Sequence, residues 1–384
     1  MIADDPVRMP PAALPAAFDS RLDVADPGDP VLVDHVKHQA LLRAYQARYV
    51  VLPETAPSGG VLAGLDRHYD EERLQRLALI RPELEAQLIL PLLPPAPETD
   101  VLGYIERLLP ELQGVKSDPF LTAIEDHPRR AAHYRNFLVQ SSADLLAEAS
   151  ASALGVIGEF GAPQSALFRI LIDEFGYGTA DRKHSVLYRA TLCSFGLDDA
   201  YNHYWPLFDG PTLVLHNAIH WLFQTPRNIF RQIGFLLFAE TAYQRSTLFH
   251  ARFLARHFPD ADARYFAEHA HIDLHHTRMV IDEVIAPMLQ RFGPEIGAEI
   301  IQGAELTRAV FRQSGEGLTG LVGAFDAAGD ADYDRIADSG GRLVSPASAG
   351  ATGRVQVGAI GTVGALAFAR FPANTVGRLL EAGA

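Results

Sequence analysis

The stretches "PVLVDHVKHQALLRAYQARYVVL" (residues 30–52) and "DRHYDEERLQRLALIRPELEAQLILPLL" (66–93) repeat apolar side chains at spacings of three and four, the pattern of amphipathic helices. The proline-rich "PPAPETD" then breaks that pattern. From about 117 to 320 the same period predicts consecutive helices near 118–126, 128–158, 162–176, 181–196, 211–224, 226–257, 260–291 and 293–315. Their punctuation is helical: Pro163 follows "FGA" at a helix start, "GYG" closes that helix, and Pro226 opens another after "QT". No stretch of this region alternates with period two, so the expected fold class is all-α. Residues 1–115 read as an arm followed by a helical extension, 116–320 as the main helical domain, and 321–384 as a Gly- and Ala-rich tail that could be helix or strand.

Composition narrows the function classes. The 384 residues are 48% hydrophobic and 21% charged, enough for a sizeable core. A formal charge of -14 without any basic block argues against a nucleic-acid partner and for a small-molecule substrate. One cysteine, Cys193, rules out an intrachain disulfide framework and fits a reducing cytoplasm. The N-terminal "MIADDPVRMPPAALPAA" has acids and prolines where a secretory signal has bases and an apolar run. The longest uncharged apolar run, "VGAIGTVGALAFA", is too short to span a bilayer, so no membrane association is expected.

The candidate chemistry lies in polar residues on apolar helix faces. In "YFAEHAHIDLHHTRMV" (265–280), His269, Asp273 and His276 fall within an arc of roughly 60° that also carries Phe266, Ile272, Met279 and Val280, whereas His271 and His275 point away. Glu174 shares a face with Leu167, Ile170 and Leu171; Glu240 with Ile233, Leu236, Leu237 and Tyr243; Glu148 with Leu145, Ser152 and Gly155. His184 follows Glu174 by ten residues across "GYGTADRK". Any one such group could simply be hydrogen-bonded in a core. Together they would repel one another, with no buried Lys or Arg to offset them, and a cation is the simplest remedy. Four carboxylates and three neutral imidazoles around two divalent ions give zero net charge, and oxygen with imidazole ligands suits iron or manganese. His216 and His220, four residues apart, lack the intervening Glu of a zinc protease helix, and Glu268 with His271 forms only one of the two Glu-x-x-His pairs a ferritin-like site needs. Arg278, Arg308 and Arg312 are candidate carboxylate anchors.

His-x3-Asp-x2-His at 269, 273 and 276 preceded by Tyr265, the Glu174–His184 spacing across a Gly-rich turn, and the single glutamates at 148 and 240 together resemble the heme-oxygenase-like diiron oxidases and oxygenases over roughly residues 130–315. The resemblance implies a heme-oxygenase-like helical bundle that binds two Fe(II) ions per chain and uses O2 as cosubstrate. It implies one iron held by Glu174, His184 and a further carboxylate, the other by His269, Asp273, His276 and Glu240, with Glu148 bridging or closing the site. Glu148 and Tyr243 are the expected catalytic residues, in a pocket that also contains Phe266, Met279 and Leu236. The implied outcome is N-oxygenation, desaturation or oxidative C–C cleavage of a small amine or amino-acid-derived substrate, in a biosynthetic pathway. An oxidative decarboxylase or desaturase of an aliphatic acid, or a non-redox binding protein of the same fold, is the alternative. The assembly is not fixed by the sequence, a homodimer being one option.

Overall fold

A computed structural model of the chain describes residues 30–50, 52, 61–95, 98–204 and 208–326, with 23–24 and 342–343. The expectations for the N-terminal arm and for the tail after 326 fall almost wholly outside these residues. The described chain is all-α, apart from a two-residue parallel pairing of Asp23–Val24 with Arg342–Leu343. Its helices are α1 (Pro30–Gln46), α2 (Val61–His68), α3 (Glu71–Leu88), α4 (Val101–Gln113), α5 (Pro119–Ile124), α6 (Arg130–Leu145) and α7 (Ala149–Gly155). They continue with α8 (Ala162–Glu174), α9 (His184–Ser194), α10 (Gly210–Gln224), α11 (Ile229–His257), α12 (Arg264–Met279), α13 (Ala286–Phe292) and α14 (Gly297–Asp326).

Aspartates set several helix starts: Asp100, Asp118 and Asp209 each accept a hydrogen bond from the backbone N–H three residues on, satisfying donors that α4, α5 and α10 would otherwise leave free. Two expected helices are interrupted. The 128–158 stretch splits at residues 146–148, between α6 and α7, and the 260–291 stretch passes through a π-helical turn at Val280–Ile285 before α13. Pro287 accounts for the second break, because it lacks a backbone donor at the first turn of α13 and the wider turn absorbs the missing bond.

α11 is the spine. It packs against α14 along one side and α12 along the other, with α10 behind. Gly234 permits the α11–α14 crossing: a Cβ there would lie 1.8 Å from the Ile300 carbonyl oxygen. The helical extension is built into the same core. Leu41, Leu42 and Tyr45 of α1 and Leu84 of α3 are fully buried, α1 packs on α10, and α4 lies against α11 and α14. Arg81 of α3 donates to the Gln224 carbonyl at the C-terminal end of α10 and pairs with Glu85, which also accepts from the Tyr45 hydroxyl.

We expect Gly234→Ala to destabilise the fold by about 1–3 kcal/mol or more through this backbone clash. The check is a lowered denaturation midpoint; an unchanged midpoint would mean the helices can part without cost.

Candidate metal centre

Five helical segments converge between α8, α11 and α12. Glu148 sits at the break between α6 and α7, Glu174 ends α8, His184 begins α9, Glu240 lies within α11, and α12 presents His269, Asp273 and His276. The α8–α9 turn explains the ten-residue spacing. Gly176 adopts φ +69°, and a Cβ there would lie 2.4 Å from the Lys183 nitrogen, so the chain doubles back on itself and returns His184 to Glu174.

The ligand atoms form two groups, each with all atoms within 4.8 Å of one another: Glu148, Glu174, His184 and His269, and Glu240, Asp273 and His276. All seven residues singled out from the sequence are therefore brought together, but His269 stands with the first group, where the resemblance implies the second. The helix rise explains this, since two residues seven apart on one face are separated by about 10 Å along the axis and reach opposite ends of the site. Glu174 lies between the groups, with its carboxylate 3.6 Å from His276 Nδ1 and 3.9 Å from His269 Nε2.

Neighbouring groups orient these side chains. His269 Nδ1 lies 3.0 Å from the Tyr265 carbonyl oxygen, which makes it the protonated nitrogen and leaves Nε2 free to face Glu148 at 3.2 Å. The Tyr265 hydroxyl donates to one oxygen of Glu148 at 2.7 Å. His276 turns Nδ1 toward Glu240 and Nε2 toward Asp173, both at 3.2 Å.

Several buried atoms of the cluster have no hydrogen-bond partner: one oxygen each of Glu148 and Glu174, both nitrogens of His184 and both oxygens of Asp273. His184 Nδ1 is only 2.6 Å from Glu174 and still lacks hydrogen-bond geometry, as expected of a ring nitrogen and a carboxylate oxygen aimed at a common third point. A thiolate-free set of buried, inward-facing oxygens and imidazole nitrogens fits a pair of hard or borderline divalent cations such as ferrous iron.

Electrostatics agree with a cation-seeking site. Burial pushes the Glu174 carboxyl up, but the imidazoles of His184, His269 and His276 outweigh it and hold it at about 2. Burial lowers His276, yet Glu240, Glu174 and Asp273 raise it to about 10. Asp273 is raised well above the carboxylate range, by burial first and then by Glu240 and Glu174.

A cavity of ≈ 70 Å³ adjoins the cluster, walled by Glu148, Glu174, Glu240, His269 and Asp273 together with Tyr243 and Leu236. Phe266 faces a larger neighbouring cavity, and Met279 is packed in the core and lines neither. His271, His275 and Arg278 are exposed. His216 and His220 are buried and held neutral, each at about 3, chiefly by burial. Arg308 is tied to Glu111 and Glu305, and Glu268 accepts from Tyr177.

Two acids at the site escape the sequence reading. Asp173 adjoins Glu174 but points at His276 from another helix, a contact that face analysis does not register. Asp144 lies one turn before Glu148 on the same apolar stripe, so the spacing that selects Glu148 also selects it.

Residues 135–311 match the profile of a family described as iron-containing redox enzyme. Over 198 residues the chain is 36% identical to a nitrosourea synthase of Streptomyces achromogenes subsp. streptozoticus, an alignment that covers 51% of this chain and 42% of that protein. The chain thus spans less than half the length of this curated relative.

The titration of the metal-free protein is a direct check. With its value at about 10, His276 should still carry a full proton load at pH 8, while His216 and His220, at about 3, should be neutral at pH 5. Nitrogen-15 NMR of histidine-labelled protein reads both states; a neutral His276 at pH 8 would contradict this charge distribution.

Proposed function

With residues 135–311 belonging to the iron-containing redox enzyme family, we propose that the protein is a non-heme diiron oxygenase or oxidase acting with O2 on a small nitrogen-bearing substrate, an amine or amino-acid derivative, in a biosynthetic pathway. The observation that carries this reading is the pair of ligand groups, in which buried oxygens of Glu148, Glu174 and Asp273 and both nitrogens of His184 converge without hydrogen-bond partners. Two ferrous ions held there would supply reducing equivalents for chemistry with O2.

In this reading Glu148, Glu174, His184 and His269 would hold one ion and Glu240, Asp273 and His276 the other. His269 binds through Nε2, because its Nδ1–H is donated to the Tyr265 carbonyl. His276 binds through Nδ1, with Asp173 holding the proton on Nε2. The Tyr265 hydroxyl occupies one Glu148 oxygen and leaves the other to the metal. Tyr243 lines the cavity, and burial first, then the charges of Asp144 and Glu148, raise its hydroxyl well above the usual phenol range. It stays protonated and would serve as a hydrogen-bond donor to a bound substrate, the catalytic role assigned to it with Glu148. The apolar wall of Leu167, Ile170, Phe223, Phe235 and Leu236 limits water at the reacting atoms.

The likeness to a nitrosourea synthase supports oxidation of a nitrogen-bearing substrate over the aliphatic-acid alternative. The engagement of Arg308 by two glutamates also weighs against a fatty-acid carboxylate anchor. No described helix is long and apolar enough to cross a membrane. We place the enzyme in a reducing cytoplasm, which suits ferrous ligands.

Anaerobic loading with Fe(II) should give close to two irons per chain, followed by O2 consumption that rises on addition of substrate from an amine and amino-acid panel. Fewer than one iron per chain with no O2 uptake sinks the proposal. At residue level, His276→Ala should lose one of the two irons while His275→Ala retains both; equal losses would show that the ligand face is wrongly assigned.

A further inference from the structure

Behind the metal cluster lies a second, larger cavity of ≈ 980 Å³, faced by Phe120, Phe137, Phe238, Phe249, Phe266 and Phe311. Its size lies at the upper end of the about 300–1,000 Å³ found for small-molecule sites. Asp144 and Tyr243 wall both this chamber and the small cavity beside the cluster, and no other residue does so. The two residues therefore form the partition across which a ligand in the chamber meets the metal site.

Every charged group of the chamber except Asp144 has a hydrogen-bond or ion-pair partner among the described residues. Arg245 donates to the Val115 carbonyl, Arg308 binds Glu111 and Glu305, and Arg312 stands 4.0 Å from Glu316. Asp118 caps α5. Asp144 makes no side-chain hydrogen bond and no ion pair among the described residues, although it faces both cavities. Burial, and then the charge of Glu148, push its carboxyl up to about 8, so a cation beside it would relieve an unfavourable environment.

We infer that the chamber receives a hydrophobic amine, its protonated nitrogen held by the Asp144 carboxylate at the partition and its aryl or alkyl body lying among the six phenylalanines. The aromatic lining supplies area for an apolar body and its ring faces tolerate a cation; an ammonium draws the proton off Asp144 and pairs with the carboxylate left behind, whereas a carboxylate head brings no positive charge to this acid. Asp144 is then the residue that selects the nitrogen end and places it next to the cluster. The inference rests on the proposed function only for the direction in which the substrate faces; binding itself requires no metal.

The test is calorimetric binding of phenylbutylamine, phenylbutanol and phenylbutyrate to the full chain, both metal-free and loaded with redox-silent Mn(II). The amine should bind about tenfold or more tightly than the alcohol, and the acid most weakly. Asp144→Asn should abolish the preference for the amine while its melting temperature and Mn(II) uptake match those of the unaltered chain. Equal binding of amine and alcohol, tighter binding of the acid, or a preference that survives Asp144→Asn would overturn the inference. The comparison among the three ligands on the unaltered chain decides the matter even where the variant fails to fold. A chain that takes up no Mn(II) but still prefers the amine would strike the metal reading and leave the role of Asp144 standing.

Discussion

Enclosing four carboxylates and three imidazoles among apolar helix faces runs against the hydration preference of every group in the set, and the surrounding architecture is shaped by how that cost is met. Without metal the balance is kept by protons. His269 and His276 are raised above the usual histidine range by the neighbouring acids, against the opposing effect of burial, and Asp273 is raised as well. Imidazolium charge then stands where cation charge would stand, so metal uptake is an exchange of protons for metal. Even so, protons leave the cluster imperfectly satisfied. Both oxygens of Asp273 and both nitrogens of His184 remain without hydrogen bonds, a pattern that hydrogen-bonded core polar groups do not show.

Rigidity of the supporting shell follows from the same constraint. Ligands that must converge on a point need their free torsions fixed by other partners, and the chain supplies these from outside the cluster: the Tyr265 carbonyl for His269, its hydroxyl for Glu148, and Asp173 for His276. Tyr265 thus braces two ligands at once, one through its backbone and one through its side chain. The helical extension takes part indirectly. α1 packs on α10 and α3 packs on α1, and α10 contributes Ile219 and Phe223 to the wall of the small cavity, so the segment before residue 115 backs the hydrophobic surroundings of a site to which it gives no ligand.

Much of this was legible in the sequence because burial leaves a mark on helical period. Each of the seven candidate ligands is a polar residue on an apolar stripe, and that is a property of one helix at a time. What period cannot convey is position along the axis or contact between helices. His269 and His276 share a face, yet the about 10 Å between them divides them between the two groups. Asp173 becomes meaningful only through His276 on another helix. The break at 146–148 is marked by no Gly or Pro in "DLLAEASAS", whereas the π-helical turn ahead of Pro287 has a visible cause. Asp144 is the instructive case: its spacing from Glu148 places it on the same stripe, and only the two cavities that meet at its side chain distinguish it from a ligand.

The distinction between Asp144 and the ligands also bears on how reactivity and selectivity are kept apart. Of the groups that converge on the metal positions, Glu148, His269 and His276 are held by orienting neighbours, and a change at any of them would disturb the ligand set. The chamber is different in kind. Its lining combines six phenylalanines with polar side chains at its margins and contains none of the seven candidate ligands, so substitutions there alter shape or charge without touching a ligand. A scaffold divided in this way can hold its metal chemistry fixed while the chamber changes what is presented to it. Selection of the nitrogen end by a single acid at the partition then needs no rearrangement of the cluster, because the ligand's charge is matched before its reacting atoms reach the metal side of Tyr243.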